Sequence, residues 1–194
     1  VRLVVGLGNP GERYTRTRHN VAWWVLEELA ARHAVTAEER NDTGRARRVD
    51  LGQRSVVLLQ PLLFMNRSGE SLAAWREEHG RESDLLVLCD DVYLPVGALR
   101  LRASGSSGGH RGLESIESVV GGRDYARLRI GVGAAGSGDQ LKEHVLQEFT
   151  SEETPAIERT VRLAADAVEC WVSEGALGAM NQFNRRLRQE ETNQ

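Results

Sequence analysis

An α/β layered domain is predicted by three features of this sequence: short apolar runs that read as buried strands, amphipathic segments that read as helices, and their alternation along the chain. Residues 2–7 (RLVVGL) form a first, interior strand, closed by a glycine-rich turn. AWWVLEELAAR repeats apolar residues at helical spacing and predicts a helix from Val21 to about Arg32. RARRVDL (45–51) and SVVLLQP (55–61) read as two strands with Gly52-Gln53 as the turn between them. Asn66 or Ser68 is placed to cap a helix that runs to about His79 and stops at Gly80. DLLVLCDD (84–91) is a continuous apolar run ending in acids, the pattern of a strand buried on both faces. GALRLR alternates as a half-buried strand, 103–109 is a serine- and glycine-rich loop, and 111–120 is a short helix. RLRIGVG (127–133) gives a last strand, and the acidic segment 139–186 reads as mostly helical, with a frayed tail at 187–194.

With 194 residues, 40% hydrophobic and 27% charged, the chain has the size and composition of one soluble globular domain. Cys89 and Cys170 lie far apart, with no CxxC spacing, which argues against a disulfide framework or a zinc site and fits a reducing compartment. The apolar run at the start is too short for a signal peptide, and no stretch approaches the ~18 apolar residues of a membrane helix. A cytoplasmic location, with no membrane contact, is therefore expected. The formal charge of −3 excludes an all-over basic coat, yet arginines cluster at 13, 16 and 18, at 45, 47 and 48, and at 100, 102 and 111. Such forks suit phosphate where they gather on one face.

Two segments, Gly6-Leu-Gly8-Asn-Pro-Gly11 and Gly131-Val-Gly133-Ala-Ala-Gly136, match the spacing of a dinucleotide-binding turn. In the first, Pro10 removes a backbone N–H that a pyrophosphate needs, and the charged ERYTRTR that follows is no start for a helix packed on its sheet. The second continues no better. SGSSGGHRG lacks the Lys-Ser/Thr of a phosphate-binding loop. No cofactor and no metal is expected.

Four polar clusters stand where apolar strands end: Asn9, His19-Asn20, Met65-Asn66 and Asp90-Asp91, with His110 in the glycine-rich loop as a fifth. In an open α/β sheet such ends converge on one edge, where ligands bind. Taken singly, each has an ordinary explanation as a turn, a helix cap or a loop histidine. Together, VVGLGNPGERYTRTRHN, QPLLFMNRSG, DDVYLPVGALRLR and GGHRGL resemble, in order and spacing, the signatures of the bacterial peptidyl-tRNA hydrolase family, over nearly the whole chain.

That resemblance implies a single three-layer α/β/α domain around a twisted mixed β-sheet, covering 1–186 as one catalytic unit. It also implies hydrolysis of the ester between a peptide and the terminal ribose of tRNA, by a monomer acting on the 3′ CCA end and acceptor stem. His19 matches the catalytic histidine, which activates water, and Asp90 the carboxylate that orients it. Asn9 and Asn66 match paired amides that read the peptide bond beside the ester, Asn9 distinguishing N-blocked from free aminoacyl-tRNA. Phe64 and Met65 are expected as an apolar wall, and Tyr14 with Phe64 as a surface for the peptide or the terminal adenosine. His110 matches a second histidine, expected to bind substrate or order water. Arg102 and Arg129 fall where the family holds the tRNA 5′-phosphate. Three positions depart from the family's usual residues: Arg111 for Asn, Leu63 for Thr and Tyr93 for Asp. Arg111 cannot accept a hydrogen bond, but it can meet a phosphate or carbonyl. A catalytically inactive RNA-binding relative, resembling plant organelle splicing factors, is the competing reading.

Overall fold

A computed structural model describes residues 1–134 and 136–192, with side chains through Asn184. The expectation for the tail at 187–194 lies outside the residues described to the side chain. Seven strands form one mixed sheet: β1 (Arg2–Gly6), β2 (Val35–Arg40), β3 (Gly44–Leu51), β4 (Arg54–Pro61), β5 (Asp84–Asp91), β6 (Leu99–Arg102) and β7 (Ala126–Gly131). Their order is β2-β3-β4-β1-β5-β7-β6. The four inner strands run parallel, while β2, β3 and β6 are joined antiparallel.

Five helices, α1 (Val21–Arg32), α2 (Ser68–His79), α3 (Arg111–Val120), α4 (Asp139–Val145) and α5 (Thr154–Thr192), complete the three layers. Alternation within β1 assigns the layers. Val4 joins Val25, Leu26 and Leu29 of α1 with Ala164, Val168 and Trp171 of α5 in one core. Leu3 and Val5 join Leu72 and Trp75 of α2 with Leu113 and Ile116 of α3 in the other. Each fully buried leucine contributes about 1.5–3 kcal/mol. Among the described residues no helix is long and apolar enough to cross a membrane.

The structure departs from the sequence expectation in three places. β2 went unread because VTAEER is exposed at every position and shows no alternating apolar face. It is held at the sheet edge by pairing with β3 and by the bidentate ion pair of Arg45 with Glu38. The start of α2 is capped by neither expected side chain: Asn66 sits in a 3-10 turn at Met65–Arg67, and the Ser68 hydroxyl donates back to the Met65 carbonyl. The last inner strand stops at Gly131: Val132 N–H still donates to the Asp91 carbonyl of β5, but Gly133 turns to donate to that of Leu94. The acidic segment is mostly helical, as expected, in two pieces. α4 and α5 are separate, and α5 breaks at Gly175, whose φ of 77° is open to glycine and strained for other residues. The break frees the Val172 carbonyl, which accepts from the guanidinium groups of Arg2 and Arg54.

Candidate active site

The carboxyl ends of β1, β4 and β5 and the start of α3 surround a cleft of about 530 Å³. Asn9, His19, Phe64, Met65, Asn66, Asp90, His110, Arg111 and Arg129 line it. Ligands of open α/β sheets bind at this edge. A smaller hollow of about 300 Å³ at the opposite end of the strands, beside Arg2, Asp84 and Trp171, brings no comparable set together.

Asp90 is buried at the end of β5, and each of its oxygens meets an imidazole. Oδ2 lies 2.8 Å from Nδ1 of His19, and Oδ1 lies 2.8 Å from Nε2 of His110. His19 stands on a 3-10 turn, Arg18–Asn20, that leads into α1. With Nδ1–H given to Asp90, its Nε2 has no protein partner among the described residues, in a ring that lines the cleft. Burial works against the imidazolium form of His19. The charge and hydrogen bond of Asp90 outweigh it, so the pKa lies above the ordinary imidazole value. Burial alone would push the Asp90 carboxyl up, but the two imidazoles hold it well below the usual carboxylate range. The neighbouring Cys89 thiol is pushed up to about 12 by burial, which leaves it unreactive.

The ligand-capable atoms of His19, Asp90 and His110 lie within 4.8 Å of one another. The ring nitrogens turned toward Asp90 are hydrogen-bond donors to it, so these residues are wired as a proton-bearing chain rather than an open cation site.

Asn9 is fixed from three sides. Its Oδ1 accepts from the Met65 backbone N–H at 2.8 Å, which orients the amide and leaves Nδ2–H₂ for the cleft. Its own backbone is clasped by the buried amide of Asn20: Oδ1 accepts from Asn9 N–H, and Nδ2 donates to the Asn9 carbonyl, both at 2.9 Å. One of the two lone pairs of Asn9 Oδ1 is thus engaged within the protein. Asn20 was read only as a polar neighbour of His19; its clasp on Asn9 crosses 11 residues and leaves no local sequence signal.

Asn66 and Phe64 are exposed at the cleft wall, and Met65 is buried behind them. Tyr14 does not line the cleft; its ring meets Phe64 edge-on, with centroids 6.2 Å apart, beneath the Arg13 guanidinium. Tyr93, 75% exposed, stands at the rim. Val92, Leu141 and Val145 extend the cleft as an apolar arm.

The arginine clusters divide. Arg18 is buried against Glu153 and the Val132 carbonyl, and Arg47 against Glu27. Arg129 donates to the carbonyls of Ser106 and Ser107 and lies 3.7 Å from Asp91, so it holds the loop ahead of His110. Arg102 lies outside the cleft, exposed on β6 with Arg100. In register, Arg102 faces Arg127 and Arg100 faces Arg129.

Comparison with known proteins places this geometry. A family model described as peptidyl-tRNA hydrolase matches residues 3–192. The peptidyl-tRNA hydrolase of Syntrophomonas wolfei is 42% identical over 185 residues, covering 95% of this chain and 100% of the relative. That of Symbiobacterium thermophilum is 43% identical over 186 residues, covering 94% and 98%. The crystal structure of peptidyl-tRNA hydrolase from Acinetobacter baumannii superimposes with a TM-score of 0.87 at 34% identity, covering 95% of this chain and 94% of the other. Likeness of this extent in both sequence and structure makes the chain a member of the peptidyl-tRNA hydrolase family.

Proposed function

We propose that this chain hydrolyses the ester joining a peptide to the terminal ribose of tRNA, with water as the direct nucleophile. The observation that carries the reading is the 2.8 Å bond from His19 Nδ1 to buried Asp90, which leaves Nε2 open to the cleft. Nε2 takes a proton from water as the oxygen attacks the ester carbonyl, and Asp90 stabilises the imidazolium that forms. The imidazolium then returns the proton to the departing ribose oxygen. Asn9 Nδ2, aimed by the Met65 bond, donates to a carbonyl or developing oxyanion, with Asn66 across the wall. Phe64 and Met65 supply the apolar wall, with Tyr14 behind Phe64, and Arg111 meets a phosphate or carbonyl at the rim.

The partner is peptidyl-tRNA, held through its 3′ CCA end and acceptor stem by a monomer acting in the cytoplasm. The two free cysteines fit a reducing compartment. The test is hydrolysis of N-acetyl-aminoacyl-tRNA set against unblocked aminoacyl-tRNA. Selective turnover of the blocked form is expected; tRNA binding without turnover would instead identify an RNA-binding relative. Asn9→Asp keeps the acceptor for Met65 N–H and replaces the donor facing the cleft with a carboxylate oxygen. It should narrow the preference for the blocked substrate, and an unchanged ratio would move discrimination away from Asn9.

Exposed Arg102 is available to a tRNA phosphate. An A-form duplex is gripped through its backbone rather than its deep major groove. Arg102→Ala should flatten the slope of log affinity against log salt by about 0.7–0.9. Parallel lines for variant and wild type would remove Arg102 from the interface.

A further inference from the structure

We infer that His110 is a positioning residue for the catalytic pair, setting how much of the Asp90 charge reaches His19 and hence the pH at which His19 can act as a base. This rests on His19 being the base, and it changes the role expected for His110. Both ring nitrogens of His110 are engaged. Nδ1 accepts from the backbone N–H groups of Gly112 and Leu113, at 3.1 and 3.3 Å, capping α3. Backbone donors cannot reverse, so a proton on Nδ1 would face two others, and the ring proton is confined to Nε2. That proton is donated to Asp90 Oδ1 at 2.8 Å. No polar atom of the ring is left for substrate, as a binding role would require.

The helix start itself cannot drift. A Cβ at Gly112 would stand 2.6 Å from Met65 Sδ and 2.8 Å from Leu7 Cδ1, so α3 begins in tight contact with the wall of the cleft. The two imidazoles are held with centroids 5.5 Å apart on either side of one carboxylate. A carboxylate stabilised by two donors draws a proton onto His19 less strongly than one with His19 alone. The charged groups around the pair are otherwise balanced or turned away. Asp91 of β5 faces Arg129 of β7 at 3.7 Å, and Lys142 of α4 lies 3.4 Å from Asp139. Arg18, on the turn of His19, points to Glu153, and Arg111 of α3 lines the cleft without bonding either ring.

His110→Asn separates the two bonds, because asparagine caps helices well but is too short to reach Asp90. The readouts are titration of the His19 ring by NMR, without substrate, and the pH profiles of kcat and KM. The His19 midpoint should rise by about half to one unit. The acid limb of kcat should move with it, while KM stays within about two-fold. An unmoved midpoint overturns the inference whatever happens to KM. In the wild-type protein, nitrogen shifts should show the neutral His110 ring carrying its proton on Nε2, with Nδ1 bare. The opposite tautomer would overturn the inference without any variant. Neither ring measurement needs turnover, so each can fail while His19 remains the base, and the reverse also holds.

Discussion

Turnover should fall about 10²–10⁴-fold in His19→Ala, the usual loss when a general base is removed. Affinity for tRNA should stay within a few-fold of wild type, because His19 acts on water in the transition state and holds no part of the tRNA body. Steady-state hydrolysis and direct tRNA binding, measured on the same preparation, separate the two. The pH dependence has a definite sign. In the proposed mechanism the base form of His19 is the active one, and Asp90 raises its pKa above the ordinary imidazole value, so wild-type kcat should fall on the acid side of a midpoint above that value. Near-normal hydrolysis by the variant would exclude His19 as the base.

A large loss of stability is expected from one methyl group at a position far less conspicuous than the histidine. Gly69, near the start of α2, lies against α3, and its N–H donates to Ser115 Oγ at 2.8 Å. A Cβ there would stand 2.1 Å from the Ser115 carbonyl oxygen and 2.7 Å from its carbon. These are backbone atoms inside a helix and cannot turn aside, so Gly69→Ala must push the two helices apart. Overpacking of this kind costs about 1–3 kcal/mol, and the rigidity of both partners argues for the upper part of that range. For a chain of this size the melting temperature should drop by about 5–10 °C. Thermal denaturation followed by circular dichroism is the measurement, and an unchanged midpoint would mean that the helices separate without cost.

The inner strands were legible because each is an unbroken apolar run bounded by polar residues, as in RLVVGL and DLLVLCDD. Helices α1 and α2 were legible from period and punctuation, with Gly80 as the stop of α2. β2 was not, since an edge strand that buries nothing carries no hydrophobic period. The convergence of Asn9, His19, Met65, Asn66, Asp90 and His110 could be expected because all stand where strands end. What each does there could not. The amide of Asn20 clasps a backbone 11 residues away, and His110 caps a helix while bonding a carboxylate on another strand. Arginines were the least readable. Nothing in a one-dimensional cluster distinguishes Arg47, buried against Glu27, from Arg102, exposed on β6.

The strand order also sets a timetable for synthesis. β1 leaves the ribosome before the other six strands of the sheet, yet it lies in the middle, between β4 and β5. Its two backbone edges and both apolar faces stay unsatisfied until residues through about Asp91 have emerged. The contact between Arg2 and the carbonyl freed at the α5 break spans 170 residues and closes later still. Contacts of such separation form slowly and leave apolar strands open to misassociation. A growing chain of this protein therefore carries Asn9 and His19 long before Asp90 and His110 arrive to complete the cleft. While it is itself still a peptidyl-tRNA, short of β5, it has no assembled site with which to cut its own ester.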